Sequence, residues 1–356
     1  AFLSGGIDST AIVGLMSETS EKPIDTFTVA LDNTSLDESL FARKVSEKFH
    51  TQHHEIRLTT DDVLEKVPSA LEAMDHPSFD GLNTYIVSGA THGAGITVAL
   101  SGLGSDEIFA GYPVFERSVQ LMNKQWLAAW PRGLRLLIGK SYQTLFPGEP
   151  ARKRAEILAS NYFDLEHTYP LSRQLFLDKD VKQILGADIL ANNAVFEWIT
   201  KSLKPGTDAS SLPFLSKVSI AELQTYLGHT LLRDTDMFSM AHSLEVRTPF
   251  LDHKLVTSVL ALRDELKPPR SKSLPPKSLL VEALGGMVSD DIAMREKQGF
   301  VLPWDDWLKG PLAQIYAEGI DALISSGLVK EFAVQKVLSS STWSRKWSLS
   351  VLGNYI

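Results

Sequence analysis

Two glycine-rich turns, each placed directly after a short apolar segment, constrain the fold of this 356-residue chain most strongly. The first, at residues 4–9, reads Ser-Gly-Gly-Ile-Asp-Ser, and the second, at 101–106, reads Ser-Gly-Leu-Gly-Ser-Asp. Apolar, β-branched segments at 24–31 and 96–100, and a segment of alternating polarity at 54–58, are separated by stretches of helical periodicity. Strands separated by helices predict a parallel sheet with helices on both faces. Both turns then lie at the carboxyl edge of that sheet, where such folds bind ligands.

The strand pattern fades after Tyr112, and helical periodicity dominates the rest of the chain. A stretch with four prolines and four basic residues, 264–278, is predicted to be a loop. We therefore expect an α/β half, residues 1–112, followed by a mainly helical half, residues 113–356, that completes the same domain. The segments predicted to be helical are 37–49, 60–74, 120–138, 152–162, 179–185, 194–203, 216–232, 279–284, 312–323 and 330–338.

Composition and charge narrow the possible functions. The formal net charge is −8 and the isoelectric point is near 5.6, which disfavours a nucleic-acid partner. No apolar run approaches the roughly 20 residues that span a bilayer, and no secretory signal is present. We therefore expect a cytoplasmic location and no membrane partner. The chain has no cysteine, which excludes disulfides and thiol chemistry within it.

The first turn has the features of a phosphate-binding loop. Gly5 and Gly6 allow the backbone to turn sharply and to point successive N–H groups outward, while a helix begins just beyond them. Ser4 and Ser9 add hydroxyl donors, and Asp8 is suited to hold Mg²⁺ bound to phosphate. The alternative is a plain Gly-Gly turn capped by these polar residues. The sequence has neither a Walker loop nor a dinucleotide-binding pattern here, so another kind of nucleotide site is indicated.

Two further motifs carry charge among apolar residues. Asp106, in the second turn, is positioned to share Mg²⁺ with Asp8, although it also fits the first turn of a helix begun by Ser105. Residues 232–252 contain many charges, and buried charges need partners. We therefore expect a network of charged contacts around Glu245 and Arg247. The alternative to a functional role is a structural ion-pair network that joins the two halves.

Together, these motifs resemble the synthetase half of glutamine-dependent asparagine synthetases, in order and spacing, from residue 1 to about residue 308. The resemblance implies an adenine nucleotide alpha hydrolase-like fold with ATP and Mg²⁺ as cofactors. It implies that a substrate carboxylate attacks ATP, that pyrophosphate leaves, and that ammonia converts the acyl-adenylate to an amide. In that family an N-terminal glutaminase with a cysteine nucleophile supplies the ammonia. Because the chain opens abruptly at Ala1 without that half, we expect a glutaminase domain in the full-length protein, and a homodimer is possible.

The resemblance also implies roles for individual residues. Lys277 corresponds to a lysine that steadies negative charge on the phosphates and on the reacting carbon's oxygen, with a solvated loop lysine as the alternative. Lys297 is a weaker candidate for the same role, and Glu245 corresponds to an active-site glutamate. Arg247 is assigned to the acceptor pocket. The positions that correspond to the adenosine pocket are Leu3, Val29, Ser101 and Gly102.

One position departs from the family pattern. Leu103 stands where asparagine synthetases usually have glutamate and lactam-forming relatives have tyrosine, at the place where the acyl-adenylate meets its nucleophile. Leucine can neither bind a charged group nor move a proton. Aspartate remains the default acceptor, and the alternatives are another carboxylate of a specialised or polysaccharide pathway, or intramolecular lactam formation. A nucleotide-binding regulatory protein is the non-enzymatic alternative.

Overall fold

Parallel strands form the centre of the molecule. The structure is a computed structural model that describes residues 1–31, 39–190, 192–269, 271, 274–295 and 302–356. The strands predicted in the first hundred residues are confirmed to within two residues at each end, whereas a fourth strand, near residue 246, was not predicted. The strands of the described residues are Asp25–Leu31 (β1), Gln52–Leu58 (β2), Val98–Leu100 (β3) and Glu245–Arg247 (β4).

An extended segment, residues 1–3, joins two parallel strand pairs, β1–β2 and β3–β4. The Leu3 amide donates to the Phe27 carbonyl of β1 at 2.8 Å, and the Phe2 amide donates to the Leu100 carbonyl of β3 at 3.0 Å. The resulting order is β2, β1, residues 1–3, β3, β4. The order reverses between the central segment and β3, and open sheets of this kind bind ligands at the carboxyl ends of those two strands.

Helices cover both faces of this sheet, in agreement with the predicted α/β class. Leu3 packs into one apolar core with the first two helices. Val29 and Ile56, which are paired in register, point to the opposite face and pack into a second core with the fifth helix. The helices before residue 113 are Ile7–Thr19 (α1), Ser39–Phe49 (α2), Thr60–Leu64 (α3), Val67–Glu72 (α4), Leu82–Gly93 (α5) and Ser105–Ile108 (α6).

The other regular elements of the described chain are helices, apart from β4. No helix in the described ranges is both long and apolar enough to cross a membrane. These helices are Pro113–Met122 (α7), Arg132–Leu145 (α8), Glu149–Ala159 (α9), Leu165–Arg173 (α10), Asp178–Leu185 (α11), Ala194–Ser202 (α12), Phe214–Glu222 (α13), Leu232–Met240 (α14), His253–Ala261 (α15), Ser278–Ala283 (α16), Asp290–Ala293 (α17), Trp304–Trp307 (α18), Ala313–Ser325 (α19), Glu331–Ser340 (α20) and Trp343–Tyr355 (α21), with 3₁₀ turns at Gln125–Ala129, Asp208–Ser211, Pro249–Leu251 and Asp264–Leu266.

Three predicted helices differ in extent from the observed ones. The helix predicted at 60–74 is two short helices, α3 and α4. The one predicted at 120–138 instead comprises the end of α7, the 3₁₀ turn Gln125–Ala129 and the first half of α8. Proline lacks the N–H that a helix interior needs and is tolerated in the first turn, as Pro68 is in α4. The predicted 216–232 helix instead runs from α13 to α14 through a π-helical segment, Leu223–Leu231.

Candidate active site

The first glycine-rich turn leads from the central segment of the sheet into α1. Gly5 has a positive φ of 66°, and a Cβ placed on it would lie 2.5 Å from the Phe41 Cβ of α2. Only glycine combines this backbone conformation with so close an approach. The Ser4 amide donates to the Ser9 hydroxyl at 3.2 Å, which holds the turn closed. The turn thus presents the N-terminus of α1 at the carboxyl edge of the sheet, where free N–H groups attract anions.

The second turn packs directly against the first, as its predicted position on the same edge requires. A Cβ on Gly102 would lie 2.6 Å from the Asp8 Cβ, so a larger residue would push the two turns apart. Gly104 has a φ of 94°, and a Cβ there would lie 2.3 Å from Leu251 Cδ2. Gly102 therefore permits the close approach of the second turn, which leads into α6 and Asp106, to Asp8, and Gly104 permits the approach of Leu251 to the same turn.

A buried lysine from the helical half connects the two turns. Lys277 Nζ lies 2.5 Å from Asp8 Oδ1, 2.6 Å from Asp8 Oδ2 and 2.8 Å from Asp106 Oδ1. The Ser105 hydroxyl lies 3.3 Å from the same ammonium and donates to Asp8. Lys277 is almost fully buried, which rules out the alternative of a solvated loop lysine. Two carboxylates around one ammonium leave one net negative charge in this cluster, which favours a further cation.

Gly111 provides the space that the cluster occupies. A Cβ on Gly111 would lie 2.1 Å from Asp106 Oδ1 and 3.0 Å from Lys277 Cε. A side chain there would displace the Asp106 carboxylate, because the contact of 2.1 Å is too short, and it would crowd the Lys277 stem. The sequence analysis gave Gly111 no role, because steric need of this kind depends on tertiary packing.

Glu107 follows Asp106 in the chain but has a different environment. It is buried, and this burial raises its pKa to about 7, with the neighbouring Asp106 charge as the next cause. Burial of the neighbouring Tyr112, together with the charges of Glu107 and Asp106, raises the pKa of that tyrosine. The Lys277 ammonium lies beside Asp106 and stabilises its charged form, whereas burial favours the protonated form of Glu107. The sequence analysis did not single out Glu107.

A cleft of about 300 Å³ opens beside the second turn. Leu103 and Ser101 line it, so the structure places the proposed acceptor-pocket leucine in a cavity next to the charged cluster. Most of the other lining residues come from the region around α5 and from α14. The full lining consists of Phe2, Asp80, Gly81, Asn83, Thr84, Val87, Ser88, Ser101, Leu103, Leu231, Asp234, Thr235 and Val246.

Two carboxyl groups that the sequence analysis gave no role line this cleft. Burial raises the pKa of Asp234 to about 6, although the Ser78 hydroxyl donates to its Oδ2 at 2.7 Å and His76 Nε2 lies 3.4 Å from its Oδ1. Burial also raises the pKa of Asp80, against a hydrogen bond from Tyr226. The run at 75–81, Asp-His-Pro-Ser-Phe-Asp-Gly, was the available signal for Asp80, and the charged stretch at 232–252 was the signal for Asp234.

The expectation of a buried ion network around Glu245 and Arg247 is wrong. The two side chains pair with each other, Nε to Oε1 at 2.7 Å, and more than half of each is exposed. They lie on one face of β4, whereas Val246 lies on the other face and lines the cleft. An ion pair between residues two apart on an exposed strand face needs no further partners. Arg247 therefore does not line the cleft described above.

The remaining predicted positions are more dispersed. Leu3 and Val29 are parts of the apolar cores, and the Leu3 carbonyl accepts a hydrogen bond from the Thr28 hydroxyl. Lys297 lies outside the residues that the structure describes. Of the catalytic and metal-binding residues predicted from the sequence, the structure brings Asp8, Asp106 and Lys277 into contact.

Comparison with known proteins now identifies the family. The family model for asparagine synthase matches residues 1–352. The chain belongs to the asparagine synthase family. Similar members include asparagine synthetase (glutamine-hydrolyzing) 1 of Bacillus subtilis (strain 168), 26% identical over 359 residues that cover 99% of this chain and 54% of that protein. A putative asparagine synthetase (glutamine-hydrolyzing) of Mycobacterium tuberculosis is 27% identical, with 99% of this chain and 53% of that protein covered.

Some family relatives carry a different name. The amidase chry2 of Gibberella zeae is 25% identical over 357 residues, which cover 89% of this chain and 51% of that protein. The chain therefore spans about half the length of each of these relatives. Family membership supports a ligase of the amidotransferase kind, and the differing names show that similar chains occur in proteins described by different amide chemistry.

Proposed function

We propose that this chain is an ATP-dependent amide-forming ligase. A carboxylate oxygen of the substrate attacks the α-phosphorus of ATP, and the bond to the β-phosphate oxygen breaks with release of pyrophosphate. The nitrogen of ammonia then attacks the acyl carbon and loses a proton, and AMP leaves. The observation that carries this proposal is the Asp8–Asp106–Lys277 cluster at the point where the sheet order reverses, beside a cleft large enough for a small acid.

The first turn supplies the cradle for the phosphates. Gly5 and Gly6 leave the backbone unobstructed, and in the described structure no side chain caps the N-terminus of α1. Its first-turn N–H groups and the hydroxyls of Ser4 and Ser9 are therefore placed to bind a leaving pyrophosphate. This arrangement stabilises the charge that develops as the bond to the α-phosphorus breaks.

The donor set fits Mg²⁺ bound together with phosphates. Among the described residues, no group of three or more acidic or histidine side chains could hold a metal on its own. Mg²⁺ commonly uses one or two carboxylates plus substrate phosphates, and Asp8 and Asp106 already converge on one cationic position. Asp8 and Asp106 would hold the ion, which supplies charge neutralisation of the leaving pyrophosphate. Lys277 adds a positive charge at the same place.

The cleft is the proposed acceptor site. Leu103 contributes an apolar wall at the position where the family resemblance leads us to expect glutamate. This difference supports a second candidate function, in which the acceptor is a carboxylate other than aspartate. Asp80 and Asp234 lie on the cleft wall and would pair with an amino or hydroxyl group of such an acceptor. The ammonia would come from a glutaminase domain of the full-length protein, in keeping with the names of the Bacillus and Mycobacterium relatives.

A screen of carboxylic acids tests this proposal. Each acid is supplied with ATP, Mg²⁺ and free ammonia, and the release of AMP and pyrophosphate is measured. We expect release with at least one acid and none from Asp8→Ala, because the cradle then loses its carboxylate. Leu103→Glu should change the preferred acceptor. Normal pyrophosphate release by Asp8→Ala would contradict the assignment, and an unchanged acceptor profile for Leu103→Glu would remove residue 103 from the pocket.

A further inference from the structure

The α8 helix turns its apolar side chains towards solvent. Only Arg135 and Gly139 of its 14 residues are buried. An amphipathic helix of a globular protein normally turns its apolar stripe towards the core. Here the stripe is exposed, with Leu137 at 62% and Leu145 at 73%. The residues of this stripe, at helical spacing, are Leu134, Leu137, Ile138 and Leu145.

The exposed stripe is part of a well-anchored surface. Arg135 is buried, and its guanidinium donates to the Leu158 carbonyl at 3.0 Å and to the Trp130 carbonyl at 3.2 Å and lies over the Phe163 ring. These contacts attach α8 to the end of α9 and to the turn that precedes α8. Rotation of the helix to bury its apolar stripe would break them all. The outward orientation is therefore a feature of the fold.

The charge around α8 has the opposite sign to that of the whole chain. Between Glu116 and Glu149 the sequence has five lysines and arginines and no acidic residue, although the formal net charge of the chain is −8. Arg135 is the buried one of these cations. The other four are exposed: Arg117, Lys124, Arg132 and Lys140. A partner of this surface must therefore combine an apolar layer with negative charge.

Two tryptophans extend the apolar surface. Trp126 and Trp130, in and after the 3₁₀ turn that precedes α8, pack edge to face with ring centroids 5.6 Å apart. Both are exposed, Trp126 at 58%. Indole rings prefer the boundary between a hydrocarbon layer and its polar headgroups. Exposed indoles, an apolar stripe and flanking cations are the features of helices that lie in the plane of a membrane surface.

We propose that residues 125–146 form an interfacial anchor that binds anionic lipid bilayers without crossing them. The leucine stripe and the two indoles enter the headgroup boundary, and Arg132 and Lys140 contact the lipid phosphates. This inference does not rest on the proposed ligase function. It revises the expectation that a membrane is not a partner, which rested on the lack of a spanning segment and did not consider peripheral binding.

Vesicle flotation of the whole chain tests the anchor. Vesicles of phosphatidylcholine alone are compared with vesicles that also contain phosphatidylglycerol, at low and high salt. We expect at least about tenfold more bound protein with the anionic vesicles, and less at high salt, because the exposed cations are attracted to the negative surface and salt screens that attraction. Leu137→Glu with Leu145→Glu should abolish flotation. Leu328→Glu with Phe332→Glu, which changes an equally exposed apolar pair elsewhere, should leave it unchanged.

Several results would overturn the anchor. Failure of the wild-type chain to float with anionic vesicles is one, and equal loss of binding in both double variants is another. A dimer in analytical ultracentrifugation that Leu137→Glu with Leu145→Glu dissociates, in a chain that does not bind vesicles, would assign the stripe to a second copy. Binding that depends on an acidic protein and not on lipid would assign it to that protein.

Discussion

Two buried lysines, ten residues apart near the ends of the same proline-rich loop, have opposite environments. Lys277 lies between the carboxylates of Asp8 and Asp106. Lys267 is at least as buried, yet its ammonium donates to neutral oxygens, the Ser216 hydroxyl at 2.5 Å and the Val259 carbonyl at 2.9 Å. Burial lowers the pKa of Lys267 to about 8, against a weaker effect of Asp264.

The difference shows that burial alone does not make a lysine functional. Lys267 ties the loop to α13 and α15 through hydrogen bonds that a neutral amine could also make. Lys277 instead has counter-ions that belong to two different glycine-rich turns, and it reaches them from the helical half of the chain. Its charge is therefore placed where we propose that phosphates and Mg²⁺ bind, so we expect a role in the reaction for Lys277 and a structural role for Lys267.

Lys277→Met tests this contrast with the largest expected effect. The variant leaves Asp8 and Asp106 facing each other without their cation, and it removes a positive charge from the phosphate site. We expect AMP formation to fall about 10²–10³-fold, the usual effect of losing one electrostatic contact to a transition state. The measurement is AMP release with the best acid from the screen, alongside a thermal unfolding curve that shows whether the variant is folded.

Lys277→Arg serves as the control that keeps the charge. It should retain the fold and part of the nucleotide affinity, since arginine also pairs with two carboxylates. If Lys277→Met folds and forms AMP at the wild-type rate, Lys277 has no role in the chemistry and resembles Lys267.

Gly111→Ala moves the same cluster without changing any charge. The added Cβ would lie 2.1 Å from Asp106 Oδ1, so the carboxylate must shift away from Lys277. We expect AMP formation to fall about tenfold and the free energy of unfolding to fall by about 1–3 kcal/mol, as overpacking usually costs. Gly93→Ala is the matched control, because nothing lies within 4 Å of its Cβ position. Equal activities of the two variants would show that the position of Asp106 is unimportant.

The sequence predicted the sheet well because local patterns determine its strands. β1 and β3 are rich in apolar and β-branched residues, β2 includes a stretch of alternating polarity, and the turns that end the central segment and β3 contain the glycines that a sharp turn needs. β4 was missed because three residues, Glu245–Arg247, are too few to show a period. Trp343–Tyr355 and Leu82–Gly93 were missed as helices because polar and small residues interrupt their apolar stripes.

The site was predicted unevenly for a related reason. Asp8 and Asp106 follow from turns that local sequence defines, so their meeting follows from the strand order. Lys277 had to be placed by resemblance, because nothing local separates a buried loop lysine from a solvated one. Lys267, Asp80 and Asp234 received no role for the same reason, and Glu245 was expected in a buried network because charge among apolar residues does not show which face is exposed.

Glu107→Gln extends the comparison to buried carboxyl groups. Asp106, like Lys277, lies beside an opposite charge, whereas burial favours the uncharged form of Glu107 as it does that of Lys267. Burial raises the Glu107 pKa from 4.5 to about 7, so the folded chain holds a proton that the unfolded chain loses between these pH values. Wild-type stability therefore falls, relative to the variant, as the pH rises through this window. The gap in unfolding free energy should approach roughly 3 kcal/mol at pH 8 and shrink towards pH 5. Urea unfolding at both pH values measures it, and a gap independent of pH would contradict the assignment.

Lys267→Met has the smallest expected effect on activity, with AMP formation within about twofold of wild type because the Lys267 ammonium contacts the Ser216 hydroxyl and the Val259 carbonyl and not the Asp8–Asp106 pair. The variant should instead change how the free energy of unfolding depends on pH. The folded-state pKa of Lys267 is lowered to about 8 from 10.5, so between these pH values the unfolded chain holds the extra proton. Wild-type stability should therefore rise, relative to Lys267→Met, from pH 8 to pH 10.5. Urea unfolding of both proteins at pH 7.5 and pH 10 detects this rise, and the lack of cysteine keeps thiol oxidation out of the alkaline measurement. If instead Lys267→Met lost AMP formation as Lys277→Met does, the distinction between a charge-paired and a neutral-paired buried lysine would fail.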